Sequence, residues 1–185
     1  MVRGTSLFTL IMIFLFTAVC PTLVIAQSTI LDPLDPNARP YSDETVLADA
    51  NKTAEELLSE AELLFQDERP LDARTKLLLA LSKDPKSHRA HAMLAAYYYS
   101  HVGHFKLALK YTRRALQLLQ EQNGPPPYED PMIASRHAHY LNLLAESRLN
   151  LDDYEGALAV LDEYESYNYF HSWYPASRAW VLMKT

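Results

Sequence analysis

The chain has few of the residues that most catalytic and nucleic-acid-binding sites are built from. It contains one cysteine and four glycines, and its longest basic run is Arg113-Arg114. A single thiol forms no intrachain disulfide, so helix packing alone has to hold the fold in an oxidising compartment. Gly4 falls in the N-terminal segment, which leaves Gly103, Gly124 and Gly156, too few for a phosphate-cradling loop. No G-x-S-x-G elbow and no H-E-x-x-H pair occurs, and no cysteine nucleophile is available beyond Cys20. The formal charge of −6 argues against nucleic acid as a partner, because phosphate neutralisation needs clustered Lys and Arg. With 49% apolar residues the chain is too hydrophobic to be disordered throughout.

The first 26 residues stand apart. Arg3 supplies a positive start, Leu7 to Val19 is an apolar core, Pro21 breaks it, and "VIA" precedes Gln27. This pattern predicts a secretory signal peptide cleaved after Ala26. The rival is a signal anchor, since the apolar stretch reaches Ala26 and is long enough to span a bilayer. A membrane is a partner only in that uncleaved case. In both cases the basic end stays inside and the bulk lies outside the cytoplasm, either secreted or periplasmic. Val19 before Cys20 is too large for a lipid-attachment box. Residues 27–52 open with three prolines by position 40 and are expected to form an extended or partly helical tether.

From residue 53 onward the pattern is helical and repeated. Ala61 and Ala73, Ala96 and Ala108, and Ala145 and Ala157 are spaced alike; Ala80, Ala115 and then Tyr164 follow each pair at a fixed interval. Successive units are offset by 35 and 49 residues. Each reads as two helices. Thr53 with Glu56 is a capping box, and Pro70 suits the first turn of a helix ending near Pro85. Further helices are expected over Ser87–His101 and Phe105–Gln122, with Gly103 in the turn, and over Pro131 to about Asn150 after an Asp130 cap. Asp152 with Glu155 is read as the cap of the next helix, which runs to about Ser166. Asn123 to Asp130 is a proline-rich insertion. Small residues where antiparallel helices meet let their axes approach closely.

This arrangement resembles the tetratricopeptide (TPR) repeat. The first unit (about 54–86) carries Leu57, Ala61, Leu64, Ala73, Leu77, Ala80 and Pro85; the second (88–122) carries Ala96, Tyr99, Gly103, Phe105, Ala108, Ala115 and Leu116. The third (131–168) carries Leu141, Leu144, Ala145, Tyr154, Ala157 and Leu161, with Arg148 at a slot where Tyr is usual. The resemblance implies an all-α, right-handed solenoid of about three helix-turn-helix units. A C-terminal helix over about 172–185 would open a fourth unit, with Ala179 in the place of Ala145. It further implies a non-enzymatic protein-protein interaction module with no cofactor, and with the expected export it suggests a role in cell-envelope complex assembly.

In this family the first helices line a groove for extended peptides or a partner helix. Position by position, the groove residues would be Glu55, Leu58, Glu62 and Phe65, then Met93, Tyr97 and His101, then His139, Asn142, Glu146 and Asn150. The family's clamp for acidic C-terminal peptides needs Lys, Asn and Arg, and its slots here hold Leu58, Glu62, Leu94, His139 and Leu143. The groove so placed is aromatic and partly acidic, so the expected ligand is an extended protein segment with apolar anchors and some Lys or Arg. Trp173, Trp180, Leu182 and Met183 suggest a terminal docking surface, for a partner or for a second copy in a homo-oligomer. Seven histidines raise the question of a metal. The pairs His88/His91, His101/His104 and His137/His139 lack a complete ligand set, and His88 and His137 are expected at solvent-exposed helix starts.

Overall fold

A computed structural model describes residues 48–167, 169 and 174–184. The segment expected to be a signal peptide, most of the expected tether and Trp173 lie outside the described residues. Among those described, all regular structure is helical: α1 (Ala54–Gln66), α2 (Pro70–Lys83), α3 (His88–Tyr97), α4 (Phe105–Asn123), α5 (Pro131–Leu149), α6 (Tyr154–Ser166) and α7 (Tyr174–Leu182). A π-helical segment, Tyr98–Val102, extends α3. Each helix packs on its sequence neighbours, and α3 also touches α5. No helix among the described residues is long and apolar enough to cross a membrane.

Local chemistry sets the helix boundaries. Thr53 caps α1 by accepting from Glu56 N at 3.2 Å, while Glu56 accepts in return from Thr53 N at 2.7 Å, so two otherwise orphaned donors are satisfied. Asp130 caps α5 by accepting from Met132 N at 2.7 Å, with Pro131 in the first turn. The α6 cap is Asp153, accepting from Gly156 N at 3.0 Å, one residue beyond the expected Asp152. Asp152 instead adopts a left-handed backbone, φ 59°. It shares that role with Glu68 (φ 58°) and Gly103 (φ 69°), each in the turn inside one hairpin. The three turn residues are separated by the same 35 and 49 residues as the alanines, so the repeat in sequence is also a repeat in backbone conformation.

The small residues lie where antiparallel helices meet. Ala61, Ala73, Ala80, Ala108, Ala115, Ala145 and Ala157 are buried, with Tyr164 buried at the corresponding place in α6. Ala96 departs from this: it is half-buried and opens onto a cleft between α3 and α5. Ala179 is exposed, and Val181 takes the buried position of α7. The terminal helix therefore does not repeat the alanine register of α5. The tether also ends earlier than expected, because Asp49 is buried at the α1–α2 edge, paired with Lys76 at 2.5 Å and Lys52 at 2.8 Å.

The core falls into two clusters. One joins Leu57, Leu58, Leu77, Leu94, Tyr97 and Tyr98 from α1 to α3 with residues of α4. The other joins Leu119, Leu141, Leu144, Leu161, Tyr164 and Val181 from α4 to α7. Burying each such Leu is worth about 1.5–3 kcal/mol.

Candidate functional site

The first helices of the three hairpins, α1, α3 and α5, share one face. On α3, Arg89, Met93 and Ala96 recur at helical spacing and so lie along one stripe. Together with Glu62 of α1 and Arg136, His139 and Tyr140 of α5, they line a cleft of about 200 Å³ whose floor includes Ala92. At the cleft's near edge Arg89 ties α1 to α3, pairing with Glu55 and, at 2.8 Å, with Glu62. Half-exposed pairs of this kind each contribute at most about 1 kcal/mol, but they occupy both carboxylates.

Further along the face, Tyr99 donates to the Glu146 carboxylate and so ties α3 to α5. Asn150 donates to Glu146 O at 2.9 Å. Burial, with the Glu146 carboxylate alongside, pushes the Tyr99 phenol up to about 12. Next to it, His101 stacks on Phe65 at 5.8 Å and on Tyr97 at 5.9 Å. The π segment carries both Tyr99 and His101; one extra residue per turn rotates everything after it, and Gly103 closes it in the left-handed conformation that glycine adopts without strain.

Of the expected groove residues, Glu55, Glu62, His101, His139 and Asn150 are exposed, and Phe65, Met93, Asn142 and Glu146 are half-buried. Leu58 (0%) and Tyr97 (2%) are corrections: both are core residues. The reason is that α3 packs between the first hairpin and α5, so most of its circumference is covered, and Leu58 meets it from α1 in the same cluster. The acidic character expected of the groove is largely consumed internally, since Glu55 and Glu62 hold Arg89 and Glu146 accepts from Tyr99. Arg136 differs. Among the described residues it pairs with no carboxylate, and its Nη2 lies 3.3 Å from the Met132 sulfur. Reasoning by repeat position passes over it, because it sits in the extra first turns of α5. Arg89, Ala92, Ala96 and Tyr140 are passed over for a related reason, being assigned to no groove slot.

The histidines do structural work that polarity did not predict. His88 and His137 are buried, not exposed. His88 Nδ1 is hydrogen-bonded to Tyr140 OH at 2.9 Å and His137 Nδ1 to Tyr169 OH at 3.0 Å. Burial, helped by Arg136 and Arg89, lowers the His88 imidazole below its ordinary value. His91 Nδ1 meets Ser87 O at 2.8 Å, and His104 Nδ1 accepts from Leu107 N at 3.3 Å. Among the described residues no three His, Cys, Asp or Glu side chains converge on a possible metal position.

Two other surfaces lie away from this face. A larger cleft of about 480 Å³ at the outer edge of α1 and α2, lined by residues including Leu63, Leu64, Asp67 and Arg69, contains none of the expected groove residues. At the end of α7, Trp180 and Leu182 are exposed, as is Met183 just beyond it, with Trp180 edge-on to Tyr154 at 6.0 Å and beneath Lys184 at 5.6 Å. Trp173 lies outside the described residues. No protein-family model matches the sequence, and no curated protein matches it.

Proposed function

We propose that the chain is an exported TPR-like solenoid that binds an extended segment of a partner protein along the face of α1, α3 and α5. The observation that carries this reading is the cleft lined by these three helices, with an alanine floor and one arginine that pairs with no carboxylate among the described residues. The recurrence of left-handed turns at the repeat interval supports the solenoid. The ligand fitting the cleft has an apolar side chain for Met93 and Ala96 and an acidic group for Arg136. That replaces the basic ligand expected from the groove positions, because Arg89 and Tyr99 already engage Glu55, Glu62 and Glu146.

A peptide array screened with the full chain tests this. Wild type should select segments pairing an apolar residue with Asp or Glu, and Arg136→Glu should shift selection toward Lys or Arg. Identical selection by both proteins would remove the cleft from the function. A second reading, self-association through α7, is favoured by the exposure of Leu182 and Met183. Sedimentation at two concentrations, with and without residues 173–185, separates it from the first.

A further inference from the structure

His137 is fully buried, at 0% exposure, and is surrounded by tyrosines. Tyr128 lies edge-on at 5.2 Å between ring centroids, Tyr167 at 5.3 Å and Tyr169 at 5.8 Å. Nδ1 is hydrogen-bonded to Tyr169, while Nε2 is enclosed with no hydrogen-bond partner among the described residues. A neutral imidazole tolerates this, since the phenol serves Nδ1 in either tautomer. An imidazolium does not, because it needs acceptors at both nitrogens and solvation of its charge.

The tyrosine chain continues from His137 to the terminal helix. Tyr169 packs edge-on to Tyr164 at 5.3 Å, and Tyr164 stacks on Tyr174, the first residue of α7, at 5.4 Å. Helix α7 has nine residues, too short to persist without tertiary contacts. Besides this stack it is held by buried Val181, by Tyr174 donating to Glu165 at 2.8 Å, and by Arg178 paired with Asp162.

We propose that His137 is an acid-operated latch: a second proton on its enclosed imidazole undocks Tyr169 and, with it, helix α7. The titratable groups that face it are phenols. Tyr128 comes from the loop before α5, Tyr167 and Tyr169 follow α6, and Tyr164 lies behind Tyr169; all four are raised by burial and stay neutral in acid. Glu163 of α6 accepts from Tyr167 OH at 3.4 Å, and its charge also raises the Tyr167 and Tyr169 phenols. From α4 the cluster receives apolar Leu116 and Leu119. Burial alone lowers the imidazole to about 4, so a charged neighbour does not set the threshold. Release exposes Val181 beside Trp180, Leu182 and Met183, which makes the terminal apolar face larger in acid. His88, at the same register one unit earlier, ties α3 to α5 through Tyr140 and lies near Arg136 and Arg89, so its protonation acts elsewhere.

Hydrogen exchange of the full chain, read by segment and corrected for intrinsic rate, tests the latch. Between pH 6.5 and 4.5 the opening of α7 should rise about thirtyfold, from linkage between an ordinary and a depressed imidazole, while α1 to α4 stay protected. His137→Phe should abolish that rise, and His88→Gln should leave it in place. An equal rise in His137→Phe, or its loss in His88→Gln, overturns the proposal. If His137→Phe does not fold, NMR titration of the wild-type imidazole decides: a midpoint well below 6 supports the latch, and one near 6.5 refutes it. None of these readouts depends on the groove.

Discussion

At the α1–α2 end the buried Asp49 carboxylate is paired with lysines and Arg74 is buried against Tyr98, whereas at the α5–α6 end His137 is buried among phenols. At the first end Asp49 sits between Lys52 and Lys76, and Lys76 meets Glu60 at 2.9 Å. Although burial opposes ionisation, hydrogen bonds from Lys52 and Lys76 hold the Asp49 carboxyl below its ordinary value, and Lys52 and then Lys76 do the same for Glu60. At the second end His137 is lowered by burial with no compensating charge. Each end has a buried apolar cluster of its own. The difference therefore lies in which solution conditions each end resists.

The largest expected effects test whether the ends fail separately. Leu77 and Leu161 are both 0% exposed and belong to different clusters. Either Leu→Ala change should cost about 2–5 kcal/mol through lost burial and the cavity left behind. In a stack where each element contacts only its neighbours, the damaged end opens first. Segment-resolved hydrogen exchange should show Leu77→Ala exposing α1 and α2, and Leu161→Ala exposing α6 and α7. Simultaneous loss of both ends in either variant would merge the two regions into one cooperative unit.

Acid and salt should separate them next. The buried imidazole gives the second end stability that is complete above about pH 6.5 and lost as pH falls toward 4, about 3 kcal/mol in all. The depressed carboxylates of Asp49 and Glu60 have the same sign but a lower window: their contribution is complete above the ordinary carboxyl range and lost only below it. On acidification α7 should open before residues 48–52 release α1 and α2. Raising salt to 1 M should reverse the order of sensitivity, lowering the stability of the first end by about 1 kcal/mol and leaving the second unchanged. Thermal melts across pH and salt, followed by exchange, check both.

The parts legible in the sequence were those governed by one strong local rule. Thr53, Pro70, Asp130 and Pro131 fixed helix starts because a cap or a missing N–H acts on its own helix. Most of the alanines marked close helix contacts, but Ala96 opens onto the cleft and Ala179 is exposed, because a small side chain also fits where no neighbour covers it. Burial of polar aromatics was not legible. His88 and His137 look like surface residues until their phenol partners, Tyr140 and Tyr169, are brought from other parts of the chain. Tyr97 and Leu58 were misplaced because a face that is open on an isolated hairpin is covered once the next hairpin stacks. For the candidate site, composition counted Glu55, Glu62 and Glu146 as available charge. Their partners Arg89 and Tyr99 are likewise visible only in three dimensions.

The smallest expected effect comes from the feature that the two ends share. Glu68 in the first hairpin and Asp152 in the third both hold a left-handed backbone where the middle hairpin has Gly103. For a residue with a Cβ this conformation costs about 1–2 kcal/mol, partly offset in any glycine variant by the greater freedom of the unfolded chain. Glu68 is exposed and its side chain makes no hydrogen bond or ion pair recorded among the described residues, so Glu68→Gly should stabilise by about 0.5 kcal/mol, a rise of about 1–2 °C in Tm. Asp152 accepts from Tyr154 OH at 2.7 Å, and aspartate tolerates the left-handed region better than glutamate does. Asp152→Gly should thus leave Tm unchanged within about 1 °C, because the relief of strain is cancelled by the lost hydrogen bond. Equal gains at both sites would mean that the Asp152–Tyr154 contact contributes nothing to the second end, and that its polar groups act through burial alone.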